Sequence, residues 1–158
     1  HDIARIGKTY GAQKFYIITP LQIQHEFVLR MLFHWQKGFG AEYNPSRKDA
    51  FDIITVRSTL EEVHRELSSR GRGEPCVIAT TASRHPKSIS FEALRSKMQN
   101  NSSDILILFG TGWGIARNVL DGADFILEPI QGPAAYNHLS VRSAAAIVMD
   151  RLTARQSE

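Results

Sequence analysis

Three glycines within five residues are the feature of this sequence best suited to binding a ligand. Gly110, Gly112 and Gly114 directly follow residues 105–109, an apolar run that is typical of a buried strand. Glycine lets a backbone approach a ligand closely or adopt a positive φ. Because ligands of parallel sheets bind beyond the carboxyl ends of the strands, this turn is a candidate binding site. The alternative is a tight turn between a strand and a helix that binds nothing.

The spacing of these glycines does not match the common nucleotide-binding motifs. It is not G-x-G-x-x-G, because Ile115 occupies the last glycine position, and the turn follows the fourth predicted strand. The sequence contains no G-x-x-x-x-G-K-[ST], which disfavours a P-loop nucleotidase. An ordinary Rossmann-type methyltransferase is disfavoured too, since it places its glycine-rich turn after the first strand. A flavodoxin-like nucleotide binder also needs its ligand turn there, and residues 19–21 contain no glycine.

Residues 127–141 form a second candidate loop. It starts at a predicted strand end, continues through Pro129 and Gly132, and ends at Ser140, a natural N-cap for the last predicted helix. A helix N-terminus presents free amides and the positive end of its dipole to an electron-rich group. The alternative is an ordinary connection between a strand and a helix.

The elements that would position both loops alternate between strands and helices. The predicted strands cover residues 15–19, 53–56, 77–80, 105–109 and 125–127. Amphipathic helical stripes separate them, and the last stripe covers residues 141–152. Apolar strands separated by helices indicate an α/β fold with a mostly parallel five- to six-stranded sheet and helices on both faces.

Local patterns between these elements give three further predictions. Turn-forming residues predict a loop over 38–50, and residues 81–90 are predicted to be polar and flexible. Ser58 and Glu61 have the spacing of a capping box at the start of a helix.

Composition limits the kinds of partner, site and cellular location that the protein can have. The 158 residues fit one domain, and a net charge of +3 with a pI near 9.2 permits a nucleic-acid partner without requiring one. The single cysteine, Cys76, excludes an intrachain disulfide and a cysteine-rich zinc site, and it favours a reducing, cytoplasmic location. No apolar run approaches the roughly 20 residues that span a bilayer, and the three histidines on predicted helices, His25, His34 and His64, lack metal-ligand spacing. We therefore expect neither a membrane partner nor a metal.

Taken together, the two loops resemble motifs of the SPOUT superfamily of RNA methyltransferases. Residues 109–114 resemble the second motif of that family, and residues 128–132 and 137–141 resemble the third. Arg5, shortly before Gly11, is placed like the arginine of the first motif. The resemblance covers nearly the whole chain. The sequence is similar to bacterial SPOUT proteins, some of which are fused to a tRNA guanine-N1 methyltransferase. It implies a single domain over residues 1–158, with its N-terminal strand missing and a C-terminal trefoil knot.

The resemblance also implies a cofactor, S-adenosylmethionine (SAM), held mainly by backbone groups of the two loops. Leu127, Ile130 and Leu139 are expected to enclose its adenine, and Glu128 to orient its ribose. The predicted cofactor-binding residues are Thr80, Thr81, Phe109, Gly110, Thr111, Gly112, Trp113, Gly114, Leu127, Glu128, Pro129, Ile130, Gly132, Asn137, His138, Leu139 and Ser140.

For the reaction, the resemblance implies methyl transfer to RNA, either tRNA or rRNA, by a homodimer. Arg5 and His138 are the candidate catalytic residues. Arg5 either binds an RNA phosphate, helps to deprotonate a ribose hydroxyl, or is a solvated charge. His138 either acts as a general base or packs beside the ligand. Tyr136 either stacks on a base or caps the pocket. Basic loop residues that fit a polyanion are Arg47, Lys48, Arg70, Arg72, Arg84 and Lys87.

A second interpretation keeps the cofactor pocket but not the reaction. In it, the chain is a non-catalytic module that binds RNA or dimerises as part of a larger protein.

Overall fold

The computed structural model of the protein describes residues 1–38 and 45–154. The helices in these residues are α1 (Asp2–Thr9), α2 (Gln22–Gln36), α3 (Pro45–Phe51), α4 (Leu60–Ser68), α5 (Phe91–Gln99), α6 (Arg117–Asp121) and α7 (Val141–Thr153). The strands are β1 (Phe15–Ile18), β2 (Ile54–Arg57), β3 (Cys76–Thr80), β4 (Ser88–Ile89), β5 (Ile105–Leu108) and β6 (Phe125–Leu127). These elements divide into two compact units, His1–Glu66 and Leu67–Glu158.

The first unit contains a two-stranded parallel sheet. β1 and β2 pair with Phe15 opposite Ile54 and Ile18 opposite Arg57. Helices α1, α2 and α3 supply most of its core, in which Phe51 is completely buried. The Tyr16 hydroxyl donates a 2.6 Å hydrogen bond to Glu66, and Arg57 forms an ion pair with the same carboxylate, so helix α4 is tied to both strands.

The second unit contains a four-stranded parallel sheet in the order β4-β6-β3-β5. Strand β3 therefore lies between β6 and β5. The core of the second unit is formed by one residue of β3, one of β6 and the apolar faces of α5 and α7. These residues are Ile78, Leu127, Leu94, Val148 and Leu152. Burial of these apolar side chains holds the two helices against the sheet.

The α/β class and the parallel pairing are confirmed, with six strands in the described residues. The sequence predicted one sheet, whereas the structure divides the strands into a sheet of two and a sheet of four. Apolar runs identify strands but not their hydrogen-bonding partners, which depend on contacts distant in sequence. The trefoil knot and the single domain over residues 1–158 stay predictions.

Three local predictions need correction. Residues 39–44 of the predicted loop lie outside the described residues, but residues 45–51 form helix α3 because Pro45 suits a first helical turn and Ala50 and Phe51 are buried. The segment 81–90, predicted to be polar and flexible, contains β4, which pairs with β6. A two-residue strand is too short for its pattern to be seen in the sequence.

The predicted capping box is displaced by one residue. The Thr59 hydroxyl accepts a hydrogen bond from the Glu62 amide at 3.2 Å, and the Glu62 carboxylate accepts one from the Ser58 amide at 2.9 Å. Both Ser58 and Thr59 are followed by a glutamate three residues later, so the pattern alone does not choose between them. Hydrogen bonds from its own backbone and from Thr59 lower the pKa of Glu61 below its ordinary value.

Candidate functional site

Three strands of the second unit end side by side at the carboxyl edge of the sheet. Thr80, the last residue of β3, lies opposite Leu127, the last residue of β6. On its other side, the Thr80 hydroxyl donates a 2.8 Å hydrogen bond to the carbonyl of Leu108, where β5 ends. The predicted cofactor residues of this unit therefore lie at these three strand ends or in the loops that follow them.

The glycine turn after β5 is closed by its own backbone. A Cβ atom on Gly110 would lie 2.3 Å from the carbonyl carbon of Gly114, so no other residue fits there. Gly112 and Gly114 have φ values of +55° and +88°, which strain any residue with a side chain. The Gly114 amide donates to the Thr111 carbonyl at 3.1 Å. All three glycines are thus required by the turn itself.

The same turn leaves part of its backbone open to a ligand. Among the described residues, no atom outside the turn lies within 4 Å of the Cβ positions of Gly112 or Gly114. The Cβ position of Gly132, in the loop after β6, has equally open surroundings. The two loops therefore combine a fixed backbone with accessible peptide groups, which is what backbone recognition of a small molecule needs.

Glu128 joins the end of β6 to two neighbouring elements. Its amide donates to the Ile89 carbonyl in β4 at 2.9 Å, and its carboxylate Oε1 accepts from the Phe91 amide at 2.9 Å, where α5 begins. The sequence contained no signal for this partner, because Phe91 is 37 positions away. Glu128 thus satisfies a free amide in the first turn of α5, and the role predicted for it at a ribose stays a prediction.

One of the three side chains predicted to enclose the adenine lies in the core, and the enclosure itself stays a prediction. Leu127 is 1% exposed and packs among Ile78, Leu94 and Val148 in the core. It is buried because side chains of α5 and α7, among them Leu94 and Val148, cover its face of the sheet. Leu139, by contrast, is 46% exposed in the loop, and Ile130 is half-buried beside the core.

The loop after β3 is bonded to the loop after β6. The Asn137 side-chain amide donates a 2.7 Å hydrogen bond to the Ala82 carbonyl, and Arg84 donates to the Gln131 side chain at 3.2 Å. Farther along, the Ser140 hydroxyl accepts from the Ser143 amide at 3.3 Å, which confirms the predicted N-cap of α7. These bonds give the predicted motif at 137–141 a defined place beside Thr81.

The two candidate catalytic residues lie in different units. Arg5 is exposed on α1 in the first unit, and His138 is exposed in the second, where its ring makes an edge-to-face contact with Tyr136 at 5.5 Å. Their chemical roles stay predictions.

The basic residues expected to face a polyanion differ in their surroundings. Arg70 and Arg72 form ion pairs with Asp104 at 3.6 and 3.2 Å, so part of their charge is neutralised within the protein. Arg47 and Lys48 lie on α3 rather than in a loop, and the Arg47 guanidinium stacks over the Trp35 ring at 4.5 Å.

A cleft of about 510 Å³ lies at the opposite edge of the second sheet. It is lined by the residues that begin β3, β5 and β6, namely Cys76, Ile105 and Phe125, and by none of the predicted cofactor residues. Burial and the nearby Asp124 carboxylate raise the pKa of the Cys76 thiol, so it is less reactive than an ordinary thiol. Ligands of parallel sheets bind at carboxyl edges, so that edge, and not this cleft, is the candidate site.

The described residues contain neither a group of side chains suited to a metal ion nor a helix suited to span a membrane. Across residues 1–38 and 45–154, no three histidine, cysteine or acidic side chains are grouped so that they could hold a metal ion. None of the helices in that part of the chain is both long and apolar enough to cross a membrane.

Comparison with known proteins identifies relatives along almost the whole chain. A family model described as "SAM-dependent RNA methyltransferase" matches residues 1–154. An uncharacterised protein from Aquifex aeolicus is 37% identical over 155 residues, which are 98% of this chain and 76% of the relative. A tRNA (guanine-N(1)-)-methyltransferase from Oleidesulfovibrio alaskensis is 41% identical over 152 residues, which are 96% of this chain but 35% of the relative. The chain thus spans about a third of that enzyme.

A solved structure has a similar fold at low sequence identity. The TrmH/SpoU tRNA modifying enzyme from A. aeolicus superposes with a TM-score of 0.58 and is 17% identical. The match covers 96% of this chain and 66% of that structure.

Proposed function

Since the chain belongs to the family of SAM-dependent RNA methyltransferases, whose model it matches over residues 1–154, we propose that it transfers a methyl group from SAM to RNA. The resemblance to SPOUT methyltransferases is confirmed by this match and by the fold it shares with a TrmH/SpoU enzyme. The observation that carries the proposal is the carboxyl edge of the second sheet, where β5 and β6 lie on either side of β3 and are each followed by a loop with open glycine backbone.

The residues at this edge fit SAM by their chemistry. The exposed backbone at Gly112, Gly114 and Gly132 offers peptide groups, among them the Gly114 carbonyl, to the polar groups of a nucleoside and an amino acid. Leu139 and Ile130 offer apolar surface to an adenine ring. When bound, SAM supplies an activated methyl group on a positively charged sulfur.

The protein's own residues would then align the nucleophile and take up its proton. Alignment of the reacting atoms is the larger contribution that a protein makes to such a displacement. We propose that Arg5 binds an RNA phosphate or the hydroxyl under attack, and that exposed His138 is placed to accept a proton.

We propose tRNA as the substrate class, with rRNA as the alternative. The proposal rests on the names of relatives, two of which are tRNA (guanine-N(1)-)-methyltransferases. We further propose that the chain works in the cytoplasm as a homodimer. Its single, poorly reactive cysteine supports a reducing location.

A second candidate function is a non-catalytic cofactor-binding module of a larger methyltransferase. It is favoured by the match to only 35% of the O. alaskensis enzyme, which leaves most of that enzyme unmatched.

Calorimetric titration with SAM, followed by transfer of tritiated methyl groups to fractionated RNA, separates these functions. The RNA is taken from a strain that lacks the gene, so its target positions are unmodified. We expect saturable SAM binding and label in the tRNA fraction. SAM binding without label would favour the non-catalytic module. No binding at millimolar SAM would contradict both functions.

Loss of the Asn137 hydrogen bond should weaken SAM binding. Asn137→Asp keeps the size of the side chain but replaces the donor to the Ala82 carbonyl with a repelling oxygen. A hydrogen bond contributes about 0.5–1.5 kcal/mol, so we expect the calorimetric Kd for SAM to rise about two- to tenfold. Asn101→Asp makes the same charge change and keeps its bond from the Ser103 amide. An equal loss of affinity in this control would show that charge, and not the hydrogen bond, causes the effect.

Removal of the Arg5 guanidinium should lower methyl transfer while SAM binding is retained. Hydrogen bonds to charged groups contribute about 1.5–3 kcal/mol, which corresponds to a loss of about 10- to 100-fold in kcat/KM for Arg5→Ala. Lys8→Ala removes another exposed cation of α1 and is expected to have little effect. If the two variants behave alike, Arg5 is an ordinary solvated charge.

A further inference from the structure

The exposed apolar side chains of the second unit are confined to the candidate site. In its described part, the large hydrophobic side chains with substantial exposure are Trp113, Tyr136 and Leu139. Trp113 lies at the tip of the glycine turn, and the other two lie in the loop after β6. Isolated exposed apolar residues are common, but large aromatic side chains gathered at one functional edge are typical of a binding surface.

Trp113 is fully exposed and is the only large side chain between Gly110 and Gly114. The turn that carries it is fixed by the bond between the Gly114 amide and the Thr111 carbonyl and by the close approach of Gly110 to Gly114. The backbone beneath the indole is therefore already ordered. Binding through a side chain on a fixed backbone loses less conformational entropy than binding through a mobile loop.

A weakly paired cation, Arg117, follows Trp113 at the start of α6. The Arg117 side chain is 94% exposed, and its Nε atom lies 4.0 Å from the Asp121 carboxylate, the outer limit of an ion pair. An exposed aromatic ring and a weakly paired arginine four positions apart offer one surface for a base and one for a phosphate.

Resting on the proposed function, we propose that Trp113 stacks on an unpaired base of the RNA substrate. The substrate region that enters this site is therefore single-stranded. The indole is open on all sides, as in the stacking platforms of proteins that bind single strands, whereas a ring that encloses a small cofactor is walled by neighbours. Bases within a duplex are already stacked and cannot use such a platform.

Binding of a single-stranded oligoribonucleotide, measured with S-adenosylhomocysteine present, tests the proposal. Base–aromatic stacking contributes about 1–3 kcal/mol, so Trp113→Ala should weaken binding by about 5- to 100-fold. Trp113→Phe should restore most of the affinity. Affinity for a blunt RNA duplex should stay within about twofold, because the bases of a duplex are already stacked and cannot use the indole. RNA should quench tryptophan fluorescence in the unmodified protein and not in Trp113→Phe, which retains Trp35.

Phe27→Ala is the matched control, since Phe27 is a 70% exposed aromatic residue of the first unit. The proposal is overturned if Trp113→Ala binds the single strand normally, if it loses SAM affinity instead, or if it changes only the sedimentation coefficient, which would assign the indole to a protein contact. If the protein binds RNA by stacking but transfers no methyl group, that result would contradict only the proposed function. Normal transfer and normal RNA affinity in Trp113→Ala would contradict the stacking alone.

Discussion

Gly110→Ala should strongly weaken SAM binding while most of the fold survives. The added Cβ atom would lie 2.3 Å from the carbonyl carbon of Gly114 and 2.5 Å from the Ile115 amide nitrogen. Both are backbone atoms, so no side-chain rotation can relieve the overlap. Forcing an atom into such a contact costs about 1–3 kcal/mol or more, and the turn must open. We expect the Kd for SAM to rise by at least about tenfold, the equivalent of 1.4 kcal/mol.

The control for this variant is Gly71→Ala in the same unit. Gly71 has a φ of +76°, and in the part of the chain that the structure describes no atom lies within 4 Å of its Cβ position, so alanine there introduces backbone strain without a collision. Strain of this kind costs about 1–2 kcal/mol and should lower the Tm slightly without changing SAM affinity. Calorimetry and thermal denaturation of both variants separate a local effect on the turn from a general loss of stability. Unchanged SAM affinity in Gly110→Ala would show that the turn does not hold the cofactor.

Leu127→Ala should destabilise the protein strongly, although the sequence assigned Leu127 to the cofactor site. The side chain is 1% exposed in the core of the second unit. Truncation of a buried leucine costs about 2–5 kcal/mol because it leaves a cavity, and this corresponds to about 4–20 °C in Tm. Urea denaturation without ligand measures the loss directly.

Leu139→Ala is the matched truncation in the loop. Leu139 is 46% exposed, so we expect less than about 1 kcal/mol of destabilisation but weaker SAM binding. The two leucines should therefore have different roles: Leu127 supports the sheet, and Leu139 contacts the ligand. Equal effects of the two substitutions on stability would contradict this division.

The cross-bonded loops give a physical reason why the candidate site lies at one edge of the second sheet. Asn137, Arg84 and Glu128 each make a hydrogen bond to a residue at least 37 positions away. Such bonds hold separate loops in one arrangement before a ligand arrives. Preorganisation reduces the entropy lost on binding, so changes to these residues should act on affinity more than on folding.

The sequence by itself determined the features that depend on neighbouring residues. The strand runs, the glycine turn after Leu108, the Ser140 N-cap and the resemblance to SPOUT methyltransferases could all be recognised locally, because side-chain periodicity and capping act over a few positions.

Only the tertiary structure decided which of these residues meet. It divided six strands between two sheets, gave Glu128 a partner at Phe91, buried Leu127 and turned Pro45–Phe51 into a helix. It also left the Trp113 indole exposed at the tip of its turn. These outcomes depend on contacts between distant segments, which the pattern of neighbouring residues does not encode.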